Sequence, residues 1–391
     1  MHGSTQRIIT THVGSLPRPP HIVEAMRRIE AGADYDRAAF AADVERAVQE
    51  TVKKQIDIGL DVVTDGEMGK LGFINYVNER LAGFEEPKEA VKGQWAESRE
   101  TASFPEFYEW VARLNAGTPP PKRMSLVCTA PITYRGKDIL QRDIDTLKKA
   151  LKQGSTVEAF MPSISPATVA GYHKNVFYKS DEEFLFAVAD AMHEEYKQIV
   201  DAGFLVQIDD PRLVTHYLRN PKLSLEEWTR WAEKRIEALN HALRGIPEDR
   251  IRHHTCYGIN MGPRVHDLEM KHIIGLMLKI RAGGYSFEAA NPRHEHEWRL
   301  WESAPLPENK VIIPGLVTQS TYVVEHPELV AERIMKFAGA VGRERVIASA
   351  DCGFASSATA DEIPATVAWA KLSSLVEGAR LASAQLWKRA A

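Results

Sequence analysis

Arg250-Ile251-Arg252-His253-His254-Thr255-Cys256-Tyr257-Gly258 reads as a short strand closed by a glycine, and its surroundings decide the fold. Upstream, residues 224–244 carry apolar positions at helical spacing, and 204–208 form another apolar strand. Downstream, a helix over 266–281 leads to a strand at 285–289. A strand at 311–317, a helix at 327–341, a strand at 346–350 and a closing helix at 363–388 follow. Working back toward the N-terminus gives a helix at 181–202, a strand at 157–164, a helix at 142–153 and strands at 125–130 and 61–64. Strands that alternate with helices imply a parallel sheet, because parallel neighbours need long crossover connections. Eight such strands fit a closed (β/α)8 TIM barrel, an α/β fold. An open doubly wound sheet is the alternative, but no Gly-x-Gly-x-x-Gly follows an early strand.

The 391 residues are read as one barrel domain over 1–391. Residues 1–60 form an N-terminal arm, stopped by prolines, and an amphipathic helix at 36–59 that packs on the barrel. Residues 70–122, after the first strand, are irregular and rich in aromatics and charge; an insertion that long is usually a lid or an interface. A net charge of −4 leaves no basic footprint for nucleic acid. No apolar run approaches the roughly 20 residues of a membrane span, and the first residues lack a signal-peptide core. Three cysteines are too few for a disulfide framework. A reduced, cytoplasmic protein is expected, with no nucleic-acid or membrane partner and with a homo-oligomer left open.

In such a barrel the active site gathers at the C-terminal ends of the strands. Those ends carry Asp65, Glu67, Asp209, Asp210, His254, Cys256, Glu288, Asn291, Asp351 and Cys352. His254 and Cys256 are two apart on a strand and share a face. With Cys352 they make three soft ligands, the number a catalytic Zn2+ needs. Glu288 is either a fourth, displaceable ligand or the salt-bridge partner of an arginine such as Arg293. The bland alternative is that free cysteines are common small core residues, and Cys128, inside its strand, is read that way. Two thiolates and an imidazole would leave zinc a weak Lewis acid, better suited to holding a substrate thiol than to activating water. The chemistry that fits is alkylation of a small thiol by an alkyl donor, without a redox cofactor. Glu67, Asp209 and Asp210 suit a substrate ammonium, although adjacent acids at a strand end equally serve as helix caps. His294 and His296 look like a metal motif but are read as solvent-facing or hydrogen-bonded, and His253 points away toward the helices.

Five pieces, in order along the chain, carry a family resemblance. They are Thr10-Thr11-His12-Val13-Gly14-Ser15-Leu16-Pro17, Asp65-Gly66-Glu67, Gln207-Ile208-Asp209-Asp210-Pro211, His254-Thr255-Cys256 and Asp351-Cys352-Gly353. Together the chain resembles the C-terminal catalytic barrel of cobalamin-independent methionine synthase. The resemblance implies zinc on His254, Cys256, Glu288 and Cys352. It implies that Gly14 and Ser15 hold the homocysteine carboxylate, and that Glu67 and Asp209 hold its amine. Two departures qualify it. The synthase's N-terminal barrel has no counterpart here, and its late catalytic histidine is missing from Pro314-Gly315-Leu316-Val317-Thr318-Gln319-Ser320-Thr321. The folate donor therefore does not carry over with the rest. Methyl transfer to a thiol such as homocysteine is the leading expectation. The alternatives are epoxide opening, as in the single-barrel relative epoxyalkane:coenzyme M transferase, and a uroporphyrinogen decarboxylase-like barrel acting on or binding a tetrapyrrole.

Overall fold

Eight parallel strands form the barrel: β1 (Ile9–Thr10), β2 (Val62–Val63), β3 (Glu158–Ile164), β4 (Leu205–Asp209), β5 (Ile251–Thr255), β6 (Gly284–Phe287), β7 (Val311–Val317) and β8 (Ile347–Ala350). The computed structural model describes residues 1–88, 97–114, 125–258, 262–358 and 363–388. β1 pairs with β8, and the ring is drawn together between β1 and β2 by Asp61. Its N–H donates to the Thr10 carbonyl at 3.1 Å, and its carboxylate accepts from the Thr10 N–H at 2.8 Å. Helices cross between the strands and cover the outside, as the apolar faces of a parallel sheet require. Two of these helices start at side-chain caps. Asp36 caps Arg37–Asp57 through the N–H groups of Ala38 and Ala39, and Ser224 with Glu227 forms a reciprocal capping box on Leu225–Ala242.

The strand count agrees with the sequence reading, but one strand differs. Residues 125–130, expected in the barrel, belong to Val127–Tyr134 in a separate three-stranded sheet. That strand lies antiparallel to Leu81–Glu85 and parallel to Lys174–Asn175. The physical reason is its patterning: Cys128 and Ile132 are buried while Pro131 and Thr133 face solvent, a strand wet on one side. Its place is taken by the N-terminal arm, a barrel strand rather than a packed accessory. Two residues carry too little periodicity to be recognised as a strand.

The insertion has structure on its described part: the helices Asn75–Arg80, Arg99–Ser103 and Pro105–Leu114 and the strand Leu81–Glu85. Of the lid assigned to 70–122, residues 89–96 and 115–122 lie outside the described residues.

At the N-terminal end of the barrel Ile9, Val62, Phe160, Leu205, Ile313 and Ile347 fill the interior, one from each of six strands. Met1 packs beneath them; a Cβ on Gly284 would stand 2.7 Å from its sulfur. Arg252 lies above this layer. It is wholly buried over the Phe160 ring at 4.0 Å, and donates to Thr11 Oγ1 at 3.0 Å and the His12 carbonyl at 2.9 Å. The apolar plug below pushes polar side chains to the other end, where the strands finish.

Candidate active site

The ladder registers set the geometry. Asp209 of β4 stands beside His254 of β5, and His254 beside Ser286 of β6. Neighbouring parallel strands lie about 4.8 Å apart, so these three side chains share one layer at the barrel mouth. Cys256 follows β5 and Cys352 follows β8. The ligand atoms of His254, Cys256 and Cys352 all lie within 4.8 Å of one another, and all three residues are buried. The two sulfurs are 3.1 Å apart, and both cysteines are free.

The donor set fits a metal. His254 Nδ1 lies 3.1 Å from Ser286 Oγ, while its Nε2 is buried without a hydrogen-bond partner. A buried ring nitrogen that meets nothing in the protein is costly unless something else ligates it. Burial, with help from His253 and Arg252, lowers the His254 pKa to about 3, which keeps the imidazole in the neutral, ligating form. The hydrogen bond and charge of Cys256, together with burial, push the Cys352 thiol well up. A divalent cation would reverse that penalty. Ser286 is positioned to orient the His254 ring, as an outer partner does for a ligating histidine. It was missed in the sequence, although its place opposite His254 follows once register is known.

Glu288 is not among the converging donor atoms. Its Oε1 accepts from the Tyr257 N–H at 3.1 Å and its Oε2 from Asn291 Nδ2 at 2.8 Å. Oε2 also lies 2.9 Å from Arg264 Nη2. The arginine of the anticipated salt bridge is therefore Arg264, not Arg293, which donates to backbone and to Asn291. Arg264 continues to Asp267 at 2.7 Å, and Asp267 to His294 Nε2 at 3.2 Å. His294 Nδ1 meets Glu297 at 2.7 Å. Burial opposes charge on His294, but its hydrogen bonds to these two carboxylates raise its pKa to about 9. His294 also packs on the Tyr257 ring, with centroids 4.0 Å apart. It is thus part of a buried ionic chain, not a solvent-facing residue. Nothing in the sequence spacing identifies Arg264, which acts from a loop.

Asp351 ties the ligand-bearing ends together. Its carboxylate accepts from the backbone N–H groups of Ala289, Ala290 and Asn291 at 2.7, 2.8 and 2.9 Å. The residue before Cys352 therefore holds the loop that follows Glu288.

The remaining predicted residues form the adjoining wall. The turn Asp65-Gly66-Glu67 is closed by the Glu67 N–H donating to Asp65 Oδ1 at 2.9 Å. Glu67 adopts φ +58°, unusual for a residue with a side chain and the kind of strain that collects at functional sites. Its Oε2 is buried without a partner. Gly14 faces it at φ +144°; a Cβ there would stand 2.9 Å from Glu67 Oε1 and 2.7 Å from Pro162. Ser15 lies against Gly353, where a Cβ would collide with its Oγ, and its carbonyl accepts from the Phe354 N–H at 2.9 Å. Gly14 and Ser15 thus bridge Glu67 and the loop of Cys352. Asp209 accepts from Gln207 Nε2 at 2.8 Å. Burial and the nearby Glu67 raise its pKa well above the usual range, and burial raises that of Glu67 despite Lys70 and Arg18. Asp210 belongs elsewhere. It caps the helix Pro211–Arg219 and accepts from Ser165 Oγ at 2.7 Å, so of the two adjacent acids one stands beside His254 and one holds the scaffold.

Residues 8–111 and 125–379 match the family model described as the catalytic domain of cobalamin-independent synthase. A methionine synthase of Sulfurisphaera tokodaii is 27% identical over 381 residues, 96% of this chain and 93% of the relative. One of Saccharolobus solfataricus is 25% identical over 387 residues, 97% of this chain and 96% of the relative. Among solved structures, a B12-independent methionine synthase from Shewanella superposes with a TM-score of 0.74 at 19% identity, over 97% of this chain and 99% of that one. A putative B12-independent methionine synthase from Listeria monocytogenes gives 0.64 at 20% identity, over 98% and 100%. These two likenesses establish the shared barrel. With the family match covering most of its length, this chain belongs to the cobalamin-independent synthase catalytic-domain family.

Proposed function

We propose that the protein transfers a methyl group to the sulfur of a small amino-acid thiol such as homocysteine, with Zn2+ held by His254, Cys256 and Cys352. The observation that carries this reading is the register that sets Asp209 beside His254. It supports the reading because a carboxylate suited to an ammonium then lies one strand away from donors suited to a thiol-binding metal. The inter-strand spacing of about 4.8 Å is of the same order as the four-bond reach from nitrogen to sulfur in homocysteine. The names of the relatives, methionine synthases matched over nearly their whole length, support the same substrate.

Zinc bound there would supply the positive charge that lowers the thiol's pKa toward neutrality. The protein's own residues do the rest. Asp209 and Glu67 repel one another and are both driven toward protonation by burial. A substrate ammonium between them would favour both in the ionised state. Gly14, lacking a Cβ, lets the Glu67 carboxylate and Pro162 close against its backbone, and the backbone of Gly14 and Ser15 is the candidate for the substrate carboxylate. Buried walls exclude water, which strengthens these ionic contacts. Glu288 is better placed to hold Arg264 and the Tyr257 backbone than to ligate. The coenzyme M alternative is less well supported, because a sulfonate without an amine would face two carboxylates.

The test is direct. The purified protein should carry about one zinc per chain, and zinc loading should make it bind homocysteine with release of a proton. A homologue of homocysteine lacking the amine should bind at least tenfold more weakly. Equal binding of the two thiols, or binding that does not depend on metal, would overturn the proposal.

A further inference from the structure

A cavity of about 350 Å³ opens beside the barrel mouth between the helices Pro166–Tyr172, Pro211–Arg219 and Leu225–Ala242. Its polar lining is dominated by hydrogen-bond donors. Arg212 Nε and Nη1 are buried there without hydrogen-bond partners. His173 adds a third such donor. Its Nδ1 accepts from the Leu126 N–H at 3.0 Å, so Nε2 carries the proton of the neutral ring, and this Nε2 too is buried without a partner. Burial lowers the His173 pKa to about 4, which keeps the ring neutral. Arg235 lies over the Trp231 ring at 4.4 Å, and His216 stacks on the same indole at 3.8 Å. Counter-charge is scarce. Asp181, at the exposed rim, is the sole carboxylate residue in the lining. Burial and the charge of Arg212 lower the pKa of Arg219 to about 10.

The cavity is also shaped for its arginine. A Cβ on Gly171 would stand 2.5 Å from Arg212 Nε, so the glycine makes room for the guanidinium. A guanidinium buried without an acceptor is expensive, and buried donors in proteins are almost always satisfied. Three orphan donors on two residues that line one cavity are accounted for together if a ligand supplies the acceptors. Only an anion also supplies the missing charge, and guanidinium groups favour oxyanions.

We infer that this cavity is an oxyanion-binding site for a phosphate or carboxylate group, held by Arg212 and the His173 Nε2–H with Arg235 at its rim. The site lies on the same face as the proposed thiol centre. Its helix Pro211–Arg219 starts two residues after Asp209, and Tyr172, beside Gly171, is close enough to Cys256 to feel its charge. The inference does not depend on the transfer reaction. It concerns binding alone.

The experiment is calorimetric titration of the full-length protein with inorganic phosphate and, separately, with glutarate, at constant ionic strength in chloride. One saturable site is expected. Tighter binding of phosphate would assign the site to inorganic or phosphoryl groups, and tighter binding of glutarate to organic carboxylates. Arg212→Met, which keeps the unbranched apolar stem, should weaken binding of the preferred anion at least tenfold, and Arg235→Met at least threefold. Lys148→Met, on an exposed helix face elsewhere, should leave it unchanged. Thermal melts separate loss of the site from loss of the fold. Without the anion Arg212→Met should melt at or above the wild type, because an unpaired buried cation is gone. With the anion only the wild type should gain stability. If neither anion saturates, or if both arginine variants bind as tightly as the wild type, the inference is wrong.

Discussion

Replacing Asp351 with asparagine tests how the ends of β6 and β8 are held together. The carboxylate is fully buried and accepts three backbone N–H groups, two on Oδ1 and one on Oδ2. A hydrogen bond to a charged group contributes about 1.5–3 kcal/mol. Asparagine can keep the Oδ1 pair by presenting its carbonyl there, but its NH2 then faces the Asn291 N–H. One bond is lost and two donors are opposed. The two surviving bonds also fall to neutral strength, roughly 1 kcal/mol each. Against this, burial penalises the carboxylate and raises its pKa, and the amide removes that cost. The net expectation for Asp351→Asn is a loss of about 2 kcal/mol. Asp351→Ala, which abandons all three N–H groups, should lose roughly twice as much. Because the loop after Glu288 is tied to the residue before Cys352, zinc affinity should fall about 10–100-fold, as when an outer partner of a metal ligand is removed. Urea unfolding would give the stability change, and competition with a chromophoric chelator the affinity. An Asp351→Asn protein within about 0.5 kcal/mol of the wild type, with unchanged zinc affinity, would refute the reasoning.

Further expectations follow from the same geometry. Cys256→Ser and Cys352→Ser should each release zinc with the far-ultraviolet circular dichroism intact; full zinc occupancy in both would exclude these ligands. Glu67→Gln should weaken homocysteine binding by roughly 1.5–3 kcal/mol, measured by titration, since it removes a charged partner for the ammonium; unchanged affinity would argue against an amino-acid thiol. His294 is protonated in the folded protein to about pH 9, against an ordinary value near 6.5. A raised folded pKa stabilises fully below about pH 6.5 and is lost as the pH climbs past 9, a contribution on the order of 3 kcal/mol. Chemical denaturation across that window should show the fall in the wild type and not in His294→Gln; parallel profiles would contradict the assignment. In the loop after β7 the matching positions offer Thr318, Gln319 and Ser320 where the family resemblance anticipates a histidine. General acids contribute about 10²–10⁴-fold, so turnover with methyltetrahydrofolate should be slow beside donors already activated, such as a sulfonium or methylcobalamin. A methyltetrahydrofolate polyglutamate that proves the fastest donor at fixed thiol and zinc would show that another group supplies the proton.

The barrel and the three converging ligands could be read from the chain because both are local signals. Buried parallel strands are continuous apolar runs, and their polar residues collect just past the last apolar position. Asp209, Glu288 and Cys352 obey that rule; His254 and Cys256 lie in and just after a mostly polar strand, whose end is marked by Gly258. The two-residue β1 could not be read so, since a strand so short is defined by its partner Ile347–Ala348 and not by its own pattern. Val127–Tyr134 misled for the converse reason: local propensity made it a strand, but only its wet face shows that it lies outside the barrel. Nor could spacing say that Asp209 stands beside His254 while Asp210 caps a helix, because adjacent residues on a strand part to opposite faces only once the face of one is known. The roles of Ser286, Arg264 and Arg212 depend on contacts from other strands and loops. A side chain's partner across a barrel is fixed by register and packing, which the order of residues along one segment does not contain.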